Sequence, residues 1–139
     1  MKARRLGPDR WILVFRTGDE VVSALKEFAA RESLAGASLQ AIGGFSRATL
    51  AFFDPAAKEY RPIQVDEQVE VVSLLGSVAR EGDRPLIHAH AVLAGADGRA
   101  RGGHLLEGHV RPTLELFLVK AGELERRKDE ETGLSLLDV

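Results

Sequence analysis

From Leu86 to Leu93 the side chains alternate with a period of two: His88 and His90 fall on one side, Ile87, Ala89, Ala91 and Leu93 on the other. Successive side chains of a strand point to opposite faces, so this is the pattern of a half-buried strand carrying imidazoles on its second face. Asp97-Gly98 follows as a turn signal, and Arg101 to Glu107 can return antiparallel. All four histidines, His88, His90, His104 and His109, lie between Leu86 and His109. The chain has no cysteine, no phosphate-binding glycine loop and no dinucleotide fingerprint, so site chemistry is expected in this stretch.

The length of the turn decides what the histidines can do together, because a slip of one residue moves every side chain to the opposite face. A two-residue loop, Asp97-Gly98, sets His104 against Ala91 and turns it away from His88 and His90. A three-residue loop, Ala96-Asp97-Gly98 with a left-handed Gly98, sets it against His90 instead. A bulge at Gly102-Gly103 would produce the same correction. Convergence of His88, His90 and His104 is expected. Three neutral imidazoles suit Zn²⁺ or another divalent transition metal and leave a coordination position open. His109 lies beyond Gly108, in an expected turn, and reads as a surface residue.

With 139 residues and 45% hydrophobic content, one compact domain with a real core is expected over 1–139. The absence of cysteine excludes a disulfide framework and a thiolate metal site. No apolar run approaches membrane-spanning length and the N-terminus lacks a signal-peptide layout, so a cytoplasmic protein without membrane contact is expected. A net charge of -2 argues against a dedicated nucleic-acid binder, since phosphate neutralisation needs a basic surface. Lys2, Arg4, Arg5 and Arg10 form a small basic segment that reads as a solvated terminus.

Along the chain, Trp11 to Arg16 reads as a strand. Thr17 and Glu20 have capping-box spacing, and Val21, Leu25, Phe28 and Ala29 share one helical face, predicting an amphipathic helix that ends near Ser33. Ser38 to Phe45 and Arg47 to Phe53 read as strands, with Gly43-Gly44 marking a bulge, a bend or the close approach of another backbone. Glu59 to Val65 contains Pro62 and reads as an edge strand. Strict alternation over Gln68 to Val78 puts Val69, Val71, Ser73 and Leu75 on one face and Glu70, Val72 and Leu74 on the other. Val110 to Lys120 is a further strand. Glu70 and Glu115 each sit between apolar neighbours, and either could orient an imidazole or act as a base if it lies near the histidines. Glu123 to Glu131 holds three basic and five acidic residues and reads as a solvated strand end or loop. The apolar tail Thr132 to Val139 can add a strand or pack on a partner subunit.

One helix and seven to nine strands predict an α+β fold, a mostly antiparallel sheet with its helix on one face. The segments Ala41-Ile-Gly-Gly44, Val69-Glu-Val-Val-Ser-Leu-Leu-Gly76, Ile87-His-Ala-His90 and Gly102-Gly-His-Leu105, in that order, resemble the plants-and-prokaryotes conserved (PPC) domain family. The resemblance covers a core from about Trp11 to about Val119 and leaves 120–139 as a C-terminal extension. It implies the same fold class, a homotrimer, and a link to DNA, since prokaryotic members are often labelled predicted DNA-binding proteins. Plant members carry an Arg-Gly-Arg-Pro hook that this chain lacks, Arg111-Pro112 having no Arg-Gly before it.

Three functions follow as expectations. The first is a non-enzymatic, homotrimeric binding module with a zinc-like ion on His88, His90 and His104, acting in regulation. The second is DNA binding. The third is a metal-dependent enzyme acting on a small molecule at the same histidines.

Overall fold

The computed structural model describes residues 1–138, and among these the chain forms nine strands and one helix, an α+β fold. In chain order these are β1 (Lys2–Gly7), β2 (Arg10–Arg16), α1 (Val21–Arg31), β3 (Gly36–Asp54), β4 (Glu59–Val65), β5 (Val69–Glu81), β6 (Arg84–Ala94), β7 (Ala100–Lys120), β8 (Glu125–Lys128) and β9 (Ser135–Asp138). They join in one sheet of order β1-β2-β7-β3-β5-β8-β9, with β4 on the outer edge of β3 and β6 between β5 and β7. Every pairing is antiparallel except that of β5 with β8. The ladders β3–β5, β5–β6, β6–β7 and β7–β3 return to their starting strand, so the sheet closes around the core. Among the described residues, no helix is long and apolar enough to cross a membrane.

Two pairs of expected strands are in fact single long ones. Ser38–Phe45 and Arg47–Phe53 are halves of β3, and the two segments flanking Gly108 are halves of β7. Gly43 explains the first: its φ is +152° and a Cβ there would stand 2.3 Å from the Thr113 carbonyl oxygen. The glycine pair lets β7 press against β3 while the register slips, first beside β5 and then beside β7. Gly108 does not turn the chain, contrary to expectation. A Cβ at that position would lie 2.7 Å from Cζ of Phe45, so the missing side chain makes room for a fully buried aromatic ring.

The helix buries the predicted face, Val21, Leu25, Phe28 and Ala29, and the Phe28 ring meets Trp11 edge-on at 6.3 Å. Eleven residues make a marginal helix in water, so this packing, worth roughly 1.5–3 kcal/mol for each large side chain, is what holds it. Its N-terminus differs from expectation. Glu20, not Thr17, is the cap: its carboxylate accepts from the backbone N–H of Val22 at 2.9 Å and Ser23 at 2.7 Å. Thr17 donates instead to the Pro112 carbonyl. The cause is tertiary: Gly18 and Asp19 bond Val110 and Glu20 bridges His109, holding the chain extended up to Glu20. Glu20 also accepts from the N–H of Gly108 at 3.0 Å, tying the helix to β7. Ser33, at φ +50°, ends the helix as Leu34 N–H bonds the Ala29 carbonyl.

In β5 the strict alternation breaks at a bulge between Val71 and Ser73. Leu74 therefore joins Val69 and Val71 in the core and Leu75 turns outward, the reverse of the expected faces. The outer face so formed is apolar: Val72, Leu75, Ile42 and Phe117 are 55%, 59%, 60% and 44% exposed.

Burial works to raise the Glu20 pKa, but the N–H groups of Gly108, Ser23 and Val22 outweigh it and hold the carboxyl below its usual range. Its contribution is then present in full above the unfolded-state pKa, about 4.3, and is lost as pH falls through the folded-state value. Glu20→Ala is expected to cost about 1–2 kcal/mol in urea unfolding at pH 7. The difference from wild type should shrink on acidification below about pH 4.

Candidate metal centre

The β6–β7 hairpin places the histidines. His90 pairs directly with His104, and the ladder continues without a break through Ala91–Gly103 and Val92–Gly102 to Ala94–Ala100. The turn is the three-residue one: Gly95 N–H bonds the Arg99 carbonyl at 3.0 Å, Gly98 N–H bonds Gly95 at 2.9 Å, and Gly98 is left-handed at φ +76°. A bulge at Gly102-Gly103 is not needed. Loop chemistry alone sets the register that brings His104 to the face of His88 and His90.

The ring centroids stand 5.2 Å (His88–His90), 5.1 Å (His88–His104) and 5.5 Å (His90–His104) apart. One nitrogen from each lies within 4.8 Å of the others. A tetrahedral ion with zinc–nitrogen bonds of about 2.0–2.1 Å holds its ligand nitrogens about 3.4 Å apart, so the rings would turn inward to seat one. His90 is exposed; His88 and His104 are partly buried. Burial, reinforced by His88, His90 and Arg126, lowers the His104 pKa to about 4. Burial, Arg126 and His90 lower that of His88. Both rings are thus neutral at pH 7, the state that has a lone pair to give. His104 Nδ1 is buried and has no hydrogen-bond partner, a costly condition that coordination would relieve. The donor set and this orphaned nitrogen fit a divalent transition metal.

Two contributors escaped sequence reasoning. Arg126, in the charge run expected to be solvated, is only 7% exposed. Its Nη1 donates to the Ser135 carbonyl at 2.8 Å, and its Nη2 to Ser77 Oγ at 3.3 Å and His88 Nδ1 at 3.1 Å. Strand alternation in β8 turns Arg126 inward between the exposed Glu125 and Arg127. The apolar tail supplies β9, which pairs with β8 over the site; Val139 lies outside the described residues. Tyr60, on β4, sets its ring 4.7 Å from that of His104. The only signals in the sequence were that Tyr60 is the single tyrosine and that the tail is apolar. Tyr60, Leu86, Ile87, Leu134, Ser135 and Leu136, with His88, His104 and Arg126, line a cavity of about 370 Å³.

Glu70 and Glu115 are not at the site. Both are exposed, Glu70 opposite Ala94 at the far end of β6 and Glu115 beside Ile42, and they line a separate depression. His109 stands apart from the cluster within β7, against the Arg47 guanidinium at 3.2 Å and the Glu107 carboxylate.

The model of the Plants and Prokaryotes Conserved (PCC, also written PPC) domain matches residues 5–122. A bifunctional protein GlmU from Synechococcus is 34% identical over 120 residues, 84% of this chain, which spans only 18% of that relative's length. Among solved structures, a "putative DNA-binding protein" from Ralstonia eutropha is 31% identical with a TM-score of 0.92, over 99% of this chain and 96% of that one. A metal-containing protein from Archaeoglobus fulgidus is 31% identical with a TM-score of 0.88, over 100% of this chain and 99% of that one.

In the metal-free protein, NMR titration of the imidazole protons should find His104 neutral down to about pH 4. Titration near its ordinary value of about 6.5 would show the ring to be solvated instead.

Proposed function

Because the chain belongs to the Plants and Prokaryotes Conserved domain family, we propose that it is a binding module in which His88, His90 and His104 hold one divalent transition-metal ion, zinc or a close substitute. The observation that carries this reading is the convergence of three imidazole nitrogens within 4.8 Å, with His104 Nδ1 buried and unpartnered. The metal-containing relative from Archaeoglobus fulgidus supports it. Bound by three protein ligands, such an ion supplies Lewis acidity and an open coordination position. Around it the chain's own groups bind and orient: Arg126 presents a cation, Ser77 a hydroxyl and Tyr60 an aromatic face. No carboxylate lines the histidine cavity among the described residues, which favours ligand binding over the alternative, a metal-dependent enzyme on a small molecule.

The module works as a homotrimer, a single domain over residues 1–139 acting in the cytoplasm. The support is the exposed apolar face of Ile42, Val72, Leu75 and Phe117, a contiguous surface of the kind that marks an interaction site. A regulatory role with DNA as partner is the second reading, brought by the description of the Ralstonia relative. Here its basic residues would be Lys2 and Arg4 on the edge strand β1, while Arg5 folds over the Trp11 ring. Such contact would draw its affinity from phosphate neutralisation and so weaken as salt rises.

Protein purified without a polyhistidine tag should carry about one zinc-like ion per chain by elemental analysis. His104→Ala, checked for fold by circular dichroism, should lose it; metal-free wild type would end the metal reading. Sedimentation should give three times the 15.1 kDa chain mass, and Val72→Asp should dissociate the assembly. A monomeric wild type at micromolar concentration would end the trimer reading.

A further inference from the structure

We propose that the cavity beside His88 and His104 takes a small organic carboxylate held by the Arg126 guanidinium, and that its binding is coupled to metal loading of the histidines. This rests on the metal-binding reading above.

The argument begins with a lone pair. A neutral imidazole has one, and a metal ligand must give it to the ion. In His88 it sits on Nδ1, where it accepts the N–H of Arg126 Nη2 at 3.1 Å. If the ion takes Nδ1, the guanidinium is displaced. If it takes Nε2, Nδ1 must carry the proton and becomes a donor facing a donor. Either way metal loading costs the His88–Arg126 hydrogen bond and strips an acceptor from a side chain that is only 7% exposed.

Arg126 is already short of partners. Its Nε is buried without an acceptor, and no carboxylate pairs with it among the described residues. The nearby Glu81 binds the Ser135 hydroxyl instead. Buried guanidinium groups are ordinarily paired, and a dication a few ångströms away adds like charge. An anion between them replaces the acceptor that Nη2 loses to the metal and offsets both charges.

The cavity walls select the kind of anion. The planar fork of arginine matches a carboxylate, and Ser135 fixes that fork through Nη1. Leu86, Ile87, Leu134 and Leu136 surround it with hydrocarbon, closed on one side by the Tyr60 ring. A volume of about 370 Å³ admits a short-chain or single-ring acid. Inorganic phosphate shares the charge but gains nothing from these walls.

The test is Co²⁺ binding to the metal-free protein, read by visible absorption, with and without millimolar butyrate or inorganic phosphate. Butyrate should tighten Co²⁺ binding by about tenfold, within the usual span of coupling between two sites, and phosphate by clearly less. By reciprocity Co²⁺ should tighten butyrate equally in calorimetry. Arg126→Met should bind Co²⁺ at least as tightly as wild type without anion and show no butyrate effect. Should that variant fail to fold, Leu134→Trp, which fills the cavity, should keep Co²⁺ binding and lose the butyrate effect. Co²⁺ binding that ignores butyrate, or responds equally to phosphate, overturns the carboxylate site and leaves the metal reading standing. Absence of Co²⁺ binding in wild type and variants overturns the metal reading itself.

Discussion

The ladder between β3 and β7 is the constraint on which the other elements depend. These are the two longest strands, and each changes its second neighbour halfway along: β7 leaves β6 for β2, and β3 leaves β4 for β5. A flat ladder could not do this. The slips in register around Gly43 and near Thr49 bend both strands, so that the sheet returns on itself and buries one cluster from Trp11 to Leu118. The histidine hairpin gains its rigidity from this closure, because a two-stranded ribbon alone is marginal in water. Glu20 adds a second tie, joining the helix N-terminus to β7 at Gly108.

On this scaffold the site is assembled from strands distant in sequence. His88 and His90 come from β6, His104 from β7, Ser77 from β5, Tyr60 from β4 and Arg126 from β8. Its polarity is unusual for an interior: neutral imidazoles stand beside a buried cation, and His104 Nδ1 and Arg126 Nε lack partners. Buried polar groups are normally satisfied, so two orphans on one cavity mark a place arranged for something other than stability. The carboxylates that could have balanced the charge, Glu70 and Glu115, stand on the opposite stretch of the sheet.

The bulge in β5 links the core to the outer surface. By adding one residue against β6 it returns Leu74 to the interior and sends Leu75 out beside Ile42, Val72 and Phe117. His90 is the direct cross-strand neighbour of Leu75, so the exposed edge of the histidine cluster borders the apolar face. Whatever covers that face also lies next to the three histidines.

Much of this was legible in the sequence, for a physical reason. The α+β class, the buried face of the helix, the edge position of the Pro62 strand and the pairing of His104 with His90 follow from local rules: a period of two or 3.6, and a turn whose Gly98 accepts a left-handed backbone. These act over a few residues and need no knowledge of the rest of the chain. What the tertiary structure alone decided depends on neighbours brought from afar. Glu20 displaced Thr17 as cap because β7 holds the preceding segment extended. Gly108 continued a strand because Phe45 needed its space. Leu74 and Leu75 exchanged faces at a bulge that alternation cannot anticipate. Arg126 became the buried cation of the site because a short C-terminal strand docks beside β5, 38 residues from the histidine it touches. Local chemistry determined which residues could form a site; long-range packing decided what surrounds it.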